Sequence, residues 1–163
     1  MTDDSPERRD QDLERLRAHV EARLGPTIKR AEQVLIAEKT RALRPFGLTV
    51  PQYSALLALA WSDGMSAAQL ARFCLVAPQT MATVLANLET KGLLVRHPSP
   101  LHLKVQVATL TKAGRALVAE ADRAAIAVEA RLDAAFTRQE SQLLRELLER
   151  AIAALDPVQA EGA

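Results

Sequence analysis

The stretch from Ser66 to Leu110 constrains this chain more than any other, because its hydrophobic pattern changes character twice within a short span. Ser66-Ala67-Ala68-Gln69 has the capping-box spacing, a serine followed three residues later by a glutamine. That spacing predicts a short helix running through Phe73. Leu75-Val76-Ala77-Pro78 is a tight break. Pro78 has no N–H to lose in a first turn, so it suits the start of a second helix that reaches about Lys91 and stops at Gly92. After Gly92 the period shortens to β-like runs, Leu93–Arg96 and Lys104–Leu110, the latter rich in β-branched residues. His97-Pro98-Ser99-Pro100-Leu101-His102 lies between them, and its two prolines predict an exposed hairpin tip. Short helix, tight turn, helix and hairpin in that order are the layout of a winged helix-turn-helix.

The flanks read as helices. A long element from about Asp10 to Arg44 is interrupted at Gly25-Pro26, and Ile28, Ala31, Val34 and Leu35 recur at helical spacing beyond the break. Thr49, with Gln52 three residues on, caps a helix whose apolar side is Tyr53, Leu56, Leu57, Ala60 and Trp61. Thr111 starts another with a stripe of Leu117, Ala121, Ile126, Val128 and Leu132. Thr137-Arg138-Gln139-Glu140 opens the last, in which Leu143, Leu144, Leu147, Leu148, Ile152 and Leu155 repeat every three or four residues. The expected fold is mainly α with a small β-hairpin wing and about six helices. Residues 1–25 form a partly helical extension, 49–110 the winged helix-turn-helix lobe, 26–48 and 111–156 dimerisation helices, and 157–163 a flexible tail. The last helix is too apolar to leave in water, so an intertwined helical interface with a second copy is expected.

Between Ser66 and Lys112 the chain carries Arg72, Lys91, Arg96, Lys104 and Lys112 against one acid, Glu89. A locally basic middle fits either a polyanion partner or a solvated face. In the second helix of the motif Met81, Val84, Leu85 and Leu88 fall on one face and Gln79, Thr80, Thr83 and Asn87 on another, beside the small Ala82 and Ala86. Short polar side chains of this kind can enter a major groove and hydrogen-bond base edges, although an ordinary solvated face has the same pattern. Catalysis finds no support: there is no nucleophile–base arrangement, no glycine-rich phosphate loop and no metal-ligand spacing, since the histidines stand apart at 19, 97 and 102. No cofactor or metal is expected. Neither a secretory leader nor an apolar run of about 20 residues is visible, so a cytoplasmic protein without a membrane partner is expected.

The segments LTVPQYSALLALAW, MSAAQLARF, APQTMATVLANLETKGLL and VATLTKAGRAL, in this order and spacing, resemble the MarR family of winged-helix regulators. The resemblance implies a homodimer whose recognition helices enter successive major grooves of a near-palindromic operator in double-stranded DNA, acting as a repressor. It places Ser66, Gln79, Thr80, Thr83, Asn87, Lys91, His102 and Lys104 toward DNA. Many members carry an Asp–Arg pair at the wing tip; here His102-Leu103-Lys104 stands in its place, which leaves phosphate contact but removes the braced arginine. A small aromatic or anionic effector is also implied, with Arg44, Phe46, Tyr53, Trp61 and His19 as candidate contacts; core packing is the competing role for the aromatics. Cys74 beside Arg72 is either a redox-responsive thiol or a small buried hydrophobe. A winged-helix protein-interaction module that reads no DNA is the remaining alternative.

Overall fold

The computed structural model describes residues 6–99 and 105–155. Among these residues seven α-helices and three short strands follow one another: α1 (Pro6–Glu21), α2 (Leu24–Leu43), α3 (Val50–Ala60), β1 (Met65–Ser66), α4 (Ala67–Phe73), α5 (Pro78–Thr90), β2 (Leu94–Pro98), β3 (Gln106–Leu110), α6 (Lys112–Asp133) and α7 (Arg138–Leu155). A 3-10 turn at Arg44–Phe46 links α2 to α3 and closes on Gly47 in the left-handed region at φ 64°.

Helix starts follow the caps written in the sequence. Thr49 and Ser66 each accept from the backbone of a glutamine three residues on, whose side chain returns to the cap N–H. Thr111 accepts from Gly114 N at 3.0 Å, and Thr137 from Glu140 N at 3.3 Å. Pro78 opens α5. The early break falls before Gly25-Pro26 rather than at it: both residues lie in the first turn of α2, where proline's missing N–H costs nothing. The long first element is therefore two helices, and the described residues hold seven helices in place of about six.

The sheet is antiparallel in the order β1-β3-β2. Arg96 pairs with Ala108 across the hairpin, and Ser99 N donates to Val105 O at 2.7 Å toward its tip. Met65 and Ser66 add a third strand against Ala108 and Val107. That strand is two residues long and carries no periodic signal of its own.

The core gathers Leu43, Leu56, Leu59, Leu70, Met81, Leu85, Leu88 and Leu94, all fully buried. α6 crosses behind this lobe and buries Val118, Ala121, Ala125 and Val128. The stripe expected on α6 is corrected here, because Ile126 and Leu132 face solvent. The buried side of α6 sets the small Gly114, Ala121 and Ala125 beside Val118 and Val128, and the larger Ile126 and Leu132 stay off it. Gly114 shows how tight the packing of this helix is: a Cβ there would lie 1.9 Å from the Leu93 carbonyl oxygen. α6 is tied to its neighbours by Tyr53 Oη donating to Asp122 Oδ1 at 2.6 Å, by Arg131 on Glu38 at 2.8 Å and by an ion pair between Lys39 and Glu129.

Candidate nucleic-acid interface

α5 is amphipathic in the sense that groove reading requires. Met81, Val84, Leu85 and Leu88 are buried, which fixes the rotation of the helix on the lobe. Gln79, Thr80, Ala82, Thr83, Ala86 and Asn87 are all exposed. Thr83 Oγ1 donates back to Gln79 O at 3.2 Å, so its methyl group and oxygen lone pairs remain presented. α4 and the turn after it precede this face, and the β2–β3 hairpin follows it.

The basic residues divide into engaged and open groups. Arg96 on β2 holds Glu89 on α5 through its Nε at 2.9 Å and through its Nη2, tying the hairpin to this helix. The Arg96 hydrogen bond keeps the Glu89 carboxyl below the usual carboxylate range. Lys91 Nζ donates to the Gly47 carbonyl at 2.9 Å, well outside α5. Ser66 uses its hydroxyl within the α4 cap, accepting from Gln69 N at 3.3 Å and donating to Gln69 Oε1 at 2.9 Å. Arg72 and Lys112 are exposed. His102 and Lys104 lie outside the described residues. The Glu89–Arg96 pair had no signature in the sequence, because helix end and strand meet only after the chain turns at Gly92.

The expected effector residues do not converge. Tyr53 is buried against α6, and its proton is held by burial and by the Asp122 carboxylate, which together push its pKa up. Trp61 caps the far end of α3, about 12 Å along the helix axis from Tyr53, and is 87% exposed. His19 on α1 meets Arg23, the residue before α2, at 2.6 Å. Phe46 packs partly against the core. Arg44 does line an open cavity of about 410 Å³ where α2 passes into α3, together with Thr40, Arg41, Gly47, Leu48 and Thr49. Arg41 there is paired with Glu38, whereas no partner among the described residues holds the Arg44 guanidinium. The same Gly47 that rims this cavity receives Lys91 from the end of α5. Cys74 is half-buried at the end of α4, and burial pushes its thiol pKa up, away from the thiolate that redox chemistry needs. Among the described residues no group of histidine, cysteine and carboxylate side chains is placed to hold a metal, and no helix is long and apolar enough to cross a membrane.

A family model described as MarR family matches residues 46–104. The HTH-type transcriptional repressor Rv2887 of Mycobacterium tuberculosis is 39% identical over 130 residues, which cover 80% of this chain and 94% of that protein. Solved structures of Rv2887 include a complex with salicylic acid (39% identity, TM-score 0.62, 79% of this chain and 96% of that one). They also include a complex with DNA (38% identity, TM-score 0.60, 79% and 97%). The transcriptional repressor CouR, bound to a 23-mer DNA duplex, is similar at 28% identity and TM-score 0.73, covering 81% of this chain and 94% of that one.

Proposed function

The chain belongs to the MarR family, and from that premise we propose that it is a homodimeric, sequence-specific DNA-binding repressor relieved by a small aromatic carboxylate. The observation that carries the DNA reading is the exposed face of Gln79, Thr80, Thr83 and Asn87, held outward by four buried residues of the same helix. Asn and Gln pair with adenine edges, and threonines offer both a hydroxyl and a methyl group to the groove. Lys104, outside the described residues, has in this reading the charge to neutralise a phosphate. The chain performs no chemistry on its ligands and works in the cytoplasm, where its DNA is.

Dimerisation follows from α7. None of its residues is buried, and Leu143, Leu144, Leu147, Leu148, Ile152 and Leu155 all face outward. A second copy is the occupant that the symmetric reading of a palindrome requires, with half-sites about 34–36 Å apart. The repressor reading is supported by Rv2887 and CouR, both named repressors. The effector reading is supported by the salicylic acid complex of Rv2887 and by the Arg44 cavity here. A carboxylate on Arg44 would disturb Gly47 and, through Lys91, the end of the recognition helix. It must bind the DNA-incompetent state better than the competent one, because equal affinities shift nothing.

The test is selection of duplexes from a random pool by the full-length protein, followed by salt titration of the selected site. We expect an inverted-repeat preference and a binding constant that falls steeply with salt. Salicylate should lower operator affinity and itself bind more weakly in the presence of operator. Duplex binding without sequence preference would favour an interaction module, and equal salicylate affinity with and without DNA would remove the effector reading.

A further inference from the structure

Leu75 is the strained point of the DNA-binding lobe. α4 ends with Val76 N donating to Ala71 O at 3.0 Å and Leu75 N donating to Arg72 O at 3.3 Å. This is a Schellman turn, in which the residue after the cap adopts a left-handed backbone and glycine is favoured. Here that residue is leucine at φ 53°, the one non-glycine residue with positive φ among the described residues. A branched side chain in this conformation is unfavourable. Packing within the lobe returns nothing for it, since Leu75 is 92% exposed. Local geometry disfavours leucine and the core does not use it, which leaves an external contact as the role to be tested.

Position identifies what it meets. Leu75 stands three residues before Pro78, at the N-terminal end of α5, and the exposed Gln79 and Thr80 follow at once. In helix-turn-helix docking the N-terminal residues of the recognition helix approach base edges. Leu75 stands three residues ahead of that end, within about 11 Å of Pro78 even along an extended chain, and so in reach of the groove those residues would enter. The apolar feature that a major groove offers is the thymine C5-methyl group. We propose that Leu75 is a specificity-determining residue that packs on one thymine methyl in each half-site. This rests on the DNA-binding reading above, and it adds an apolar contact to a face otherwise composed of hydrogen-bonding groups.

Two variants and one chemical change of the DNA test it on the full-length protein and its selected operator. Leu75→Gly should raise Tm by about 2 °C or more, because the backbone strain is relieved. It should also weaken operator binding about fourfold or more per half-site, since the contact with at least one methyl group is lost. Leu75→Ala keeps a side chain in the left-handed conformation and should lose the same affinity without the gain in Tm. Replacing thymines by uracil one position at a time should cost the unaltered protein about fourfold at one position per half-site and cost Leu75→Gly nothing there. If Leu75→Gly is more stable and binds as tightly as the unaltered protein, the proposal is overturned and the DNA-binding reading stands. Identical responses of the two proteins to every uracil would overturn it in the same way. If the unaltered protein shows no sequence-preferring, salt-sensitive binding at all, the DNA-binding reading falls and takes this contact with it.

Discussion

The lobe built from α3, α4, α5 and the sheet, backed by α6, and the two ends of the chain solve the problem of apolar surface in opposite ways. In the lobe leucines are withdrawn from water: Leu56, Leu59, Leu70, Leu85, Leu88 and Leu94 are fully buried. At the ends leucines and other aliphatic residues face outward, in Leu13 and Leu16 of α1, Ile28 and Val34 of α2 and the whole stripe of α7. Each side chain buried is worth about 1.5–3 kcal/mol. The lobe therefore holds its own stability, while in the proposed dimer the ends gain theirs only against a second copy. On that reading one region keeps its shape on DNA and the other sets the distance between two such shapes.

The largest expected effect breaks the ends. Leu144→Glu combined with Leu148→Glu places four carboxylates in the interface of the proposed dimer and should weaken association by more than about 6 kcal/mol. Sedimentation at micromolar concentration should show monomers whose lobe keeps its hydrogen-exchange protection. A dimer of unchanged affinity would mean that α7 is not the seam.

Next comes the lobe. Gly114→Ala drives a methyl group into the Leu93 carbonyl and should cost about 3 kcal/mol or more by thermal or urea unfolding, although alanine is the better helix former elsewhere. A neutral result would show that α6 can slide on the sheet, and the rigid lobe would be the wrong picture. On DNA, Asn87→Ala should cost about 1–3 kcal/mol on the operator and relax base preference with little change in Tm, since Asn87 is exposed. Loss of stability instead would assign Asn87 to the lobe's packing.

The smallest effect is electrostatic. Arg96 lowers the Glu89 pKa, so the pair contributes stability that is present above the ordinary glutamate value of 4.5 and is lost as pH falls through the lowered one. Both side chains are partly exposed, so solvent screens the pair. The small Tm difference between the unaltered protein and Glu89→Gln should persist from pH 7 to pH 5 and close in more acidic buffer. A difference that does not change with pH would mean the wing is not braced by this ion pair.

Local chemistry is what the sequence wrote plainly. Thr49, Ser66, Thr111 and Thr137 start helices because a side-chain oxygen three residues ahead of a free N–H needs no tertiary partner. Met81, Val84, Leu85 and Leu88 set the inward face of α5 by spacing alone, and so placed Gln79, Thr80, Thr83 and Asn87 on the other side. Tertiary structure decided everything that depends on what stands opposite. Met65–Ser66 became a strand only because β3 has a free edge, and α6 turned the small Ala121 and Ala125 rather than Ile126 inward. Lys91 and Arg96, both basic and both near the recognition helix, were drawn to Gly47 and Glu89, 44 and 7 residues away. The Arg44 cavity exists where two helices meet at an angle that no periodicity encodes. Caps and amphipathic faces are properties of a dozen consecutive residues. Strand edges, ion pairs and cavities belong to surfaces that meet only after the chain has folded.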